Sequence, residues 1–355
     1  MTAAAPQRHI VLRAAHERIA LRLPKRGLVA ITVLAVLLVG IWAVSLTLGS
    51  YDIDLETLLT TLSGTTVSGA IDNVVWQFRM PRALVAALAG AMMALSGGAM
   101  QNVTRNGLAD PSLIGISQGA ALAVVSAIVV FPQLSFGWRP VIAFGGALGV
   151  AILVQALSFQ KRGNNTIRFI LLGIGVSALI SSITSAMLTY GDLDRAMSAL
   201  SWLAGSVNAA TWTDVHVLSA WCLVLLPLVL ALSRIMSVLR MGEDTAIGLG
   251  ASVRWARYGL ICVAVGFAAA ATAIVGPLGF VGLIAPHAAR RIARSGIGIH
   301  MLLTGLCGAV LVAVADLIGR AAFAPIQLPA GLITSIIGVP VFIYLLQRAA
   351  AKSHL

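Results

Sequence analysis

The stretch RMPRALVAALAGAMMALSGGAMQNVTRNGLADPSLIGISQG, which runs from Arg79 to Gly119, decides the fold. Two arginines open an apolar run rich in small residues, a polar GLADP turn follows it, and a second apolar run begins. Cations at a helix N-terminus oppose the helix dipole at a cost of about 0.3–1 kcal/mol. Small residues let neighbouring membrane helices approach closely. The stretch therefore predicts closely packed membrane helices, the first of which has an unusual pair of cations at its N-terminal end.

The composition of the whole chain is that of an integral membrane protein. Charged residues make up 10% and hydrophobic residues 59% of the 355 positions, whereas a soluble domain carries about 25% charged residues. The net charge of +12 would suit nucleic acid, but its distribution follows membrane topology instead, so no nucleic-acid partner is expected. The first apolar run, Leu28 to Leu48, has no signal cleavage pattern and predicts a retained helix.

Runs long enough to cross a bilayer define the predicted architecture, because about 20 apolar residues span its hydrocarbon core. Residues 258–287 are too long for one straight helix and short for two, and basic clusters flank them on both sides. We therefore expect one full helix and one short helix, broken around Gly276-Pro277. With the remaining runs this gives an all-α, polytopic protein of about ten transmembrane helices. The remaining runs lie near 28–48, 82–104, 112–131, 139–158, 166–189, 213–233, 299–318 and 329–347.

The basic residues orient these crossings. All but five of the 24 Lys and Arg fall in segments predicted to be cytoplasmic, which follows the positive-inside rule. Both termini are then cytoplasmic. The predicted organisation is a basic N-terminal tail, 1–27, followed by a single transmembrane domain, 28–350, in contact with membrane lipid. The five external cations are Arg79, Arg82, Arg139, Arg195 and Arg320.

Three of these external arginines have two interpretations from the residues alone. Arg79, Arg82 and Arg320 could reach lipid headgroups, or Arg320 could pair with Asp316 one helical turn away. Alternatively they form an electropositive surface that binds carboxylates of a soluble partner, since arginine forms bidentate, charge-assisted bonds.

A polar segment predicted to be cytoplasmic, residues 240–257 (RMGEDTAIGLGASVRWAR), also has two interpretations. Glu243 and Asp244 suit the start of a helix, and Gly248 and Gly250 allow a sharp turn between two short helices. The segment is either an ordinary solvated loop or a contact site for a cytoplasmic partner.

The sequence lacks the motifs that would indicate ATP binding, enzyme catalysis or metal binding. There is no GxxxxGK[ST] loop, so the chain should not bind ATP itself, and no HExxH or GxSxG sequence indicates an enzyme. No metal site is expected: His287 lacks a second ligand nearby in sequence and suits polar packing beside a cytoplasmic turn. Ionisable residues are scarce at mid-membrane, which disfavours an ion-coupled secondary transporter, the alternative from a different class.

Together with a second block, GPLGFVGLIAPHAARR (Gly276 to Arg291), the opening stretch resembles the FecCD- and BtuC-type permeases of iron–siderophore and vitamin B12 ABC importers. The resemblance covers roughly residues 30–350. It implies the type II importer fold of the vitamin B12 permease, and docking of a binding protein's two lobes on Arg79, Arg82 and Arg320. It also makes 240–257 the segment that contacts the ATPase. The contact residues it implies are Glu243, Asp244, Thr245, Ala246, Leu249 and Gly250.

The resemblance further implies the partners and the cargo. ATP and magnesium would bind two separate ATPase subunits, with no cofactor in this chain, and two permease subunits would alternate access along their interface. The segments SWLAGSVNAATW and MGEDTAIGLGASVRWAR resemble the ferric-enterobactin type more than the B12 type. This favours a ferric siderophore and a heterodimer in the bacterial inner membrane; vitamin B12, haem and a homodimer stay open. Candidates for the transport path on the fifth helix are Ser177, Ser181, Ser182 and Thr184, which helix–helix hydrogen bonding could equally explain. The resemblance implies a cytoplasmic gate at Thr166.

Overall fold

The computed structural model describes residues 9–14, 19–49, 53–64, 68–158, 165–250, 252–323 and 326–353. Apart from one hairpin near the N-terminus, the regular elements in these residues are helices. The hairpin pairs β1 (His9–Ala14) with the antiparallel β2 (Ile19–Pro24), within the tail that the sequence left without structure. The first helix begins at Lys25, directly after it.

Fifteen α-helices follow in the described residues. Two 3₁₀ turns, Pro111–Ile114 and Phe136–Trp138, and a π-helical turn, Val74–Arg79, lie between them. The helices are α1 Lys25–Thr47, α2 Leu55–Leu62, α3 Gly69–Asn73, α4 Met80–Thr104, α5 Ile116–Val130, α6 Arg139–Ser158, α7 Asn165–Tyr190, α8 Leu193–Leu203, α9 Trp212–Ala231, α10 Ser233–Leu239, α11 Glu243–Gly248, α12 Val253–Val275, α13 Val281–Ile292, α14 Ile297–Ala321 and α15 Ala330–Ser353.

The helix lengths confirm eight of the ten predicted crossings. Among the described residues, eight helices are long and apolar enough to cross a membrane. Two shorter helices, α5 with 15 residues and α13 with 12, occupy the positions of two further predicted spans. The predicted break also lies where expected: α12 ends at Val275, and α13 begins at Val281 after Phe280, which has a φ of 64°.

The core of the protein is built around α4, which packs against α12, α13 and α14. Small residues make this close packing possible, as the sequence predicted. A Cβ atom on Gly97 would collide with the carbonyl oxygen of Gly282, and one on Gly90 would collide with that of Gly308. Most residues of α4 are buried, whereas fewer than a quarter of those in the apolar spans of α1, α7 and α9 are, which suits contact with lipid or another subunit.

Candidate docking and coupling sites

The three arginines predicted to dock a binding protein lie together at one end of α4. Arg79 ends the π-helical turn, Arg82 lies in the first turn of α4, and Arg320 lies in the last turn of α14. Asp316 precedes Arg320 by four residues and therefore lies on the same face of α14. Arg320 interacts electrostatically with Asp316, Arg82 and Arg79. We call these four residues the arginine–aspartate cluster.

Arg82 is the most extensively bonded member of this cluster. Its Nε lies 3.0 Å from both carboxylate oxygens of Asp316, and one Nη lies 2.7 Å from Oδ1. The other Nη donates to Asn208 Oδ1 at 2.6 Å and to Gln327 Oε1 at 2.8 Å. The two charged side chains are only 8% and 3% exposed. Arg82 thus ties α4 to α14 and to the loops before α9 and α15.

The other two arginines hold the end of α1. Arg79 donates to the carbonyl oxygens of Leu46 and Thr47, at 2.5 and 2.8 Å. Arg320 donates to the carbonyl and hydroxyl oxygens of Ser45, at 2.8 and 2.7 Å. The last carbonyls of a helix lack partners within the helix and carry the negative end of its dipole. Both cations are therefore placed where the end of α1 stabilises them.

Burial distinguishes this cluster from an open docking surface. Arg79, Arg82 and Arg320 are 6%, 7% and 6% exposed. Asp316 hydrogen-bonds Arg82, whereas the sequence offered Arg320 as its partner. A docking protein must therefore bind the rim of the cluster or open it, and docking on these residues stays a prediction.

The predicted coupling segment contains α11 and leads into α12. Gly242, with a φ of 118°, separates α10 from α11, and Gly250, with a φ of 78°, separates α11 from α12. Residues with a side chain rarely adopt such angles. The chain therefore breaks at Gly250, one of the two glycines that the sequence singled out, and also at Gly242; the helix after Gly250 is the long α12. Gly248 is the last residue of α11.

The candidate contact residues of this segment face in different directions. Thr245 and Leu249 are exposed, Leu249 by 64%, whereas Ala246 is fully buried and packs in the core. The structure describes the backbone of Glu243 and Asp244, at the start of α11, but not their side chains. Thr245 and Leu249 are thus available to a partner, and Ala246 anchors α11 to the permease. Their contact with an ATPase stays a prediction.

A second polar cluster, which was not predicted from the sequence, lies at the other end of α4. Gln101 and Asn102 are 6% and 4% exposed. Arg240, which directly follows α10, donates from Nε to Asn102 Oδ1 at 2.8 Å. Arg290 of α13 donates from Nη2 to Gln101 Oε1. We call these four residues the arginine–amide cluster.

Both amides in this cluster also donate hydrogen bonds. Asn102 Nδ2 donates to the carbonyl of Gly98 at 2.7 Å, and Gln101 Nε2 donates to that of Gly282 at 3.3 Å. Partial burial lowers the pKa of Arg240 from its usual value. A glutamine and an asparagine adjacent in a buried apolar helix need polar partners, and this was the signal in the sequence. It could not indicate which arginines bind them.

The hydroxyl groups of α7 divide between two faces. Ser177, Ser182 and Thr184 each donate to the carbonyl oxygen four residues earlier, at 2.6, 2.9 and 2.9 Å. Ser181 and Ser182 lie on the exposed face, whereas Thr184 is buried. Thr166 is in the first turn of α7, and its side chain lies outside the described side chains. A role for these residues in a transport path stays a prediction.

His287 lies beside a turn, as the sequence predicted. Its Nδ1 is 3.1 Å from the carbonyl oxygen of Leu283. Its ring lies against Gly107 in the turn after α4. The described residues contain no group of three or more His, Cys, Asp or Glu that could hold a metal ion.

Comparison with known proteins gives the family of the chain. The FecCD transport family model matches residues 36–348. The chain belongs to this family. It is 35% identical to the Fe(3+)-citrate import system permease protein YfmE of Bacillus subtilis (strain 168), over 93% of this chain and 98% of that protein. It is 36% identical to the ferric enterobactin transport system permease protein FepG of Escherichia coli (strain K12), over 90% and 95%.

A solved structure extends the comparison to the fold. A metal-chelate type ABC transporter in an inward-facing conformation has a TM-score of 0.80 and 28% identity, covering 90% of this chain and 98% of that chain. This FecCD family member is therefore a multi-pass membrane permease with the type II importer fold. Membership also implies an ATPase and a binding protein as partners.

Proposed function

We propose that the chain is the permease subunit of an ABC importer that moves a ferric siderophore, or a comparable iron chelate, across the cytoplasmic membrane. The observation that supports this most strongly is the match to iron–chelate permeases over nearly the full length of the chain. The alternatives of vitamin B12, haem and ion-coupled transport are not favoured by these relatives.

The proposed mechanism assigns the two ends of α4 to two partners. A loaded binding protein docks at the arginine–aspartate cluster, and two ATPase subunits bind the segment around α11. Both termini lie in the cytoplasm in this assembly, and ATP hydrolysis takes place in the partner subunits. The exposed face of α7, with Ser181 and Ser182, packs against a second, different permease chain and lines the path.

Iron uptake tests this proposal directly. Iron-starved cells with and without the gene are given radioactive iron as ferric citrate, ferric enterobactin and ferric hydroxamates. We expect loss of uptake of one chelate in the deletion strain and its return with the gene. Uptake should continue when a protonophore collapses the ion gradient while ATP is maintained. Unchanged uptake of every chelate would refute the iron assignment, and dependence on the gradient would favour a secondary transporter.

A further inference from the structure

Helix α4 physically connects the two polar clusters. Arg82 lies in its first turn and Asn102 in its last turn. At 1.5 Å per residue these side chains are about 30 Å apart along the helix axis. Between them, contacts at Gly90 and Gly97 hold the backbone of α4 directly against α14 and α13. Such a closely packed helix is a rigid element that joins the two clusters.

The hydrogen bond from Arg240 to Asn102 joins this helix to the coupling segment. Arg240 lies between α10 and α11, two residues before the Gly242 bend. Its Nε is 2.8 Å from Asn102 Oδ1. Asn102 in turn holds the carbonyl of Gly98 through its amide nitrogen. Both polar atoms of this side chain are thus used, one within α4 and one toward the segment that contains α11.

Gln101 provides a second connection on the adjacent residue. It accepts from Arg290 and donates to the carbonyl of Gly282, so it contacts both the start and the later turns of α13. The end of α4 is therefore held from two directions, by α13 and by Arg240, which directly follows α10. Of these two connections, the one through Arg240 leads to the segment that contains α11.

We propose that Asn102 and Arg240 are positioning residues that pass movement of the ATPase-bound coupling segment to α4, and through α4 to the docking cluster. This rests on the proposed function, because it assigns the segment around α11 to the ATPase. It predicts that the bond affects how strongly a docked binding protein stimulates ATP hydrolysis. The bond should matter much less for assembly of the transporter.

A double-mutant cycle in the complete transporter tests the connection. The permease, its partner permease and its ATPase subunits are reconstituted in nanodiscs, with and without the cognate binding protein loaded with ferric citrate or ferric enterobactin. Asn102→Leu, Arg240→Leu and the double variant are compared with wild type. The measured quantity is the ratio of stimulated to basal ATP hydrolysis. Arg234→Leu, at an exposed position on α10, is the matched control.

We expect each single variant to lower the ratio by about 5-fold or more, the lower limit of typical coupling between sites. The double variant should be no worse than either single one, since both remove the same bond. Arg234→Leu should keep the wild-type ratio. A wild-type ratio in both single variants, or fully additive losses, would overturn the proposal.

Hydrogen exchange of the permease alone separates this proposal from the proposed function. If the binding protein does not stimulate ATP hydrolysis by the wild-type transporter, the proposed function fails. The role of the Arg240–Asn102 bond is then judged from amide hydrogen exchange alone. We expect Asn102→Leu to speed amide exchange in α11 as well as at the end of α4, with Arg234→Leu as control. Should Asn102→Leu fail to fold, Arg240→Leu removes the same bond from its more exposed side. Unchanged exchange in α11 refutes the connection.

Discussion

The two polar clusters on α4 hold their arginines by different chemistry. In the arginine–aspartate cluster Arg82 pairs with a carboxylate, and all three arginines are less than a tenth exposed. In the arginine–amide cluster, among the side chains that the structure describes, Arg240 and Arg290 bind neutral amide oxygens. Arg240 is partly exposed. One end of α4 is therefore fixed by a buried ion pair, and the other by hydrogen bonds from two arginines that are less buried.

This difference indicates which end can rearrange at low energy. Removing one partner of a buried ion pair costs about 3–5 kcal/mol, because a buried charge is left uncompensated. A hydrogen bond to a charged group contributes about 1.5–3 kcal/mol and less where water reaches it. Rearrangement near the coupling segment should therefore precede any opening of the arginine–aspartate cluster. The predictions below test this order.

The largest effect is expected for Asp316→Ala. It leaves the Arg82 guanidinium buried without its carboxylate, so the free energy of unfolding should fall by about 3–5 kcal/mol. Denaturation of the purified permease in mixed micelles measures this change. Asp194→Ala, which removes an exposed acid from α8, is the matched control. Equal stability of the two variants would show that the Arg82–Asp316 pair does not fix this end of α4.

An intermediate effect is expected for Arg79→Gln on binding-protein affinity. Arg79 donates to the end of α1 rather than to Asp316, so its loss leaves the ion pair intact. If a carboxylate of the binding protein docks here, affinity should fall about 10-fold, or about 1.4 kcal/mol. Binding to the permease in nanodiscs provides the measurement, and Arg195→Gln, at another arginine predicted to be external, is the control. Unchanged affinity would remove Arg79 from the docking site.

Local patterns predicted the helices of the fold better than the contacts between them. Apolar run length and flanking charges predicted the crossings and the break after Val275, because both depend on neighbouring residues. The partner of Arg82 is 234 positions away and that of Arg240 is 138 positions away. No local period encodes such pairings, since they depend on how whole helices pack. The external arginines could be singled out from the sequence, but neither their burial nor the arginines that bind the amides at the far end of α4 could be derived.

The smallest effect is expected for Arg240→Ala on stability. The variant removes a bond to Asn102, but it also removes a cation whose partial desolvation opposes its charged form. The free energy of unfolding should change by about 0.5–1.5 kcal/mol, below the value for Asp316→Ala in the same mixed-micelle assay. Arg234→Ala on α10 is the control, with an expected change near zero. A loss as large as that of Asp316→Ala would mean that both ends of α4 are fixed equally firmly. In that case α4 would have no weaker end at which rearrangement could begin.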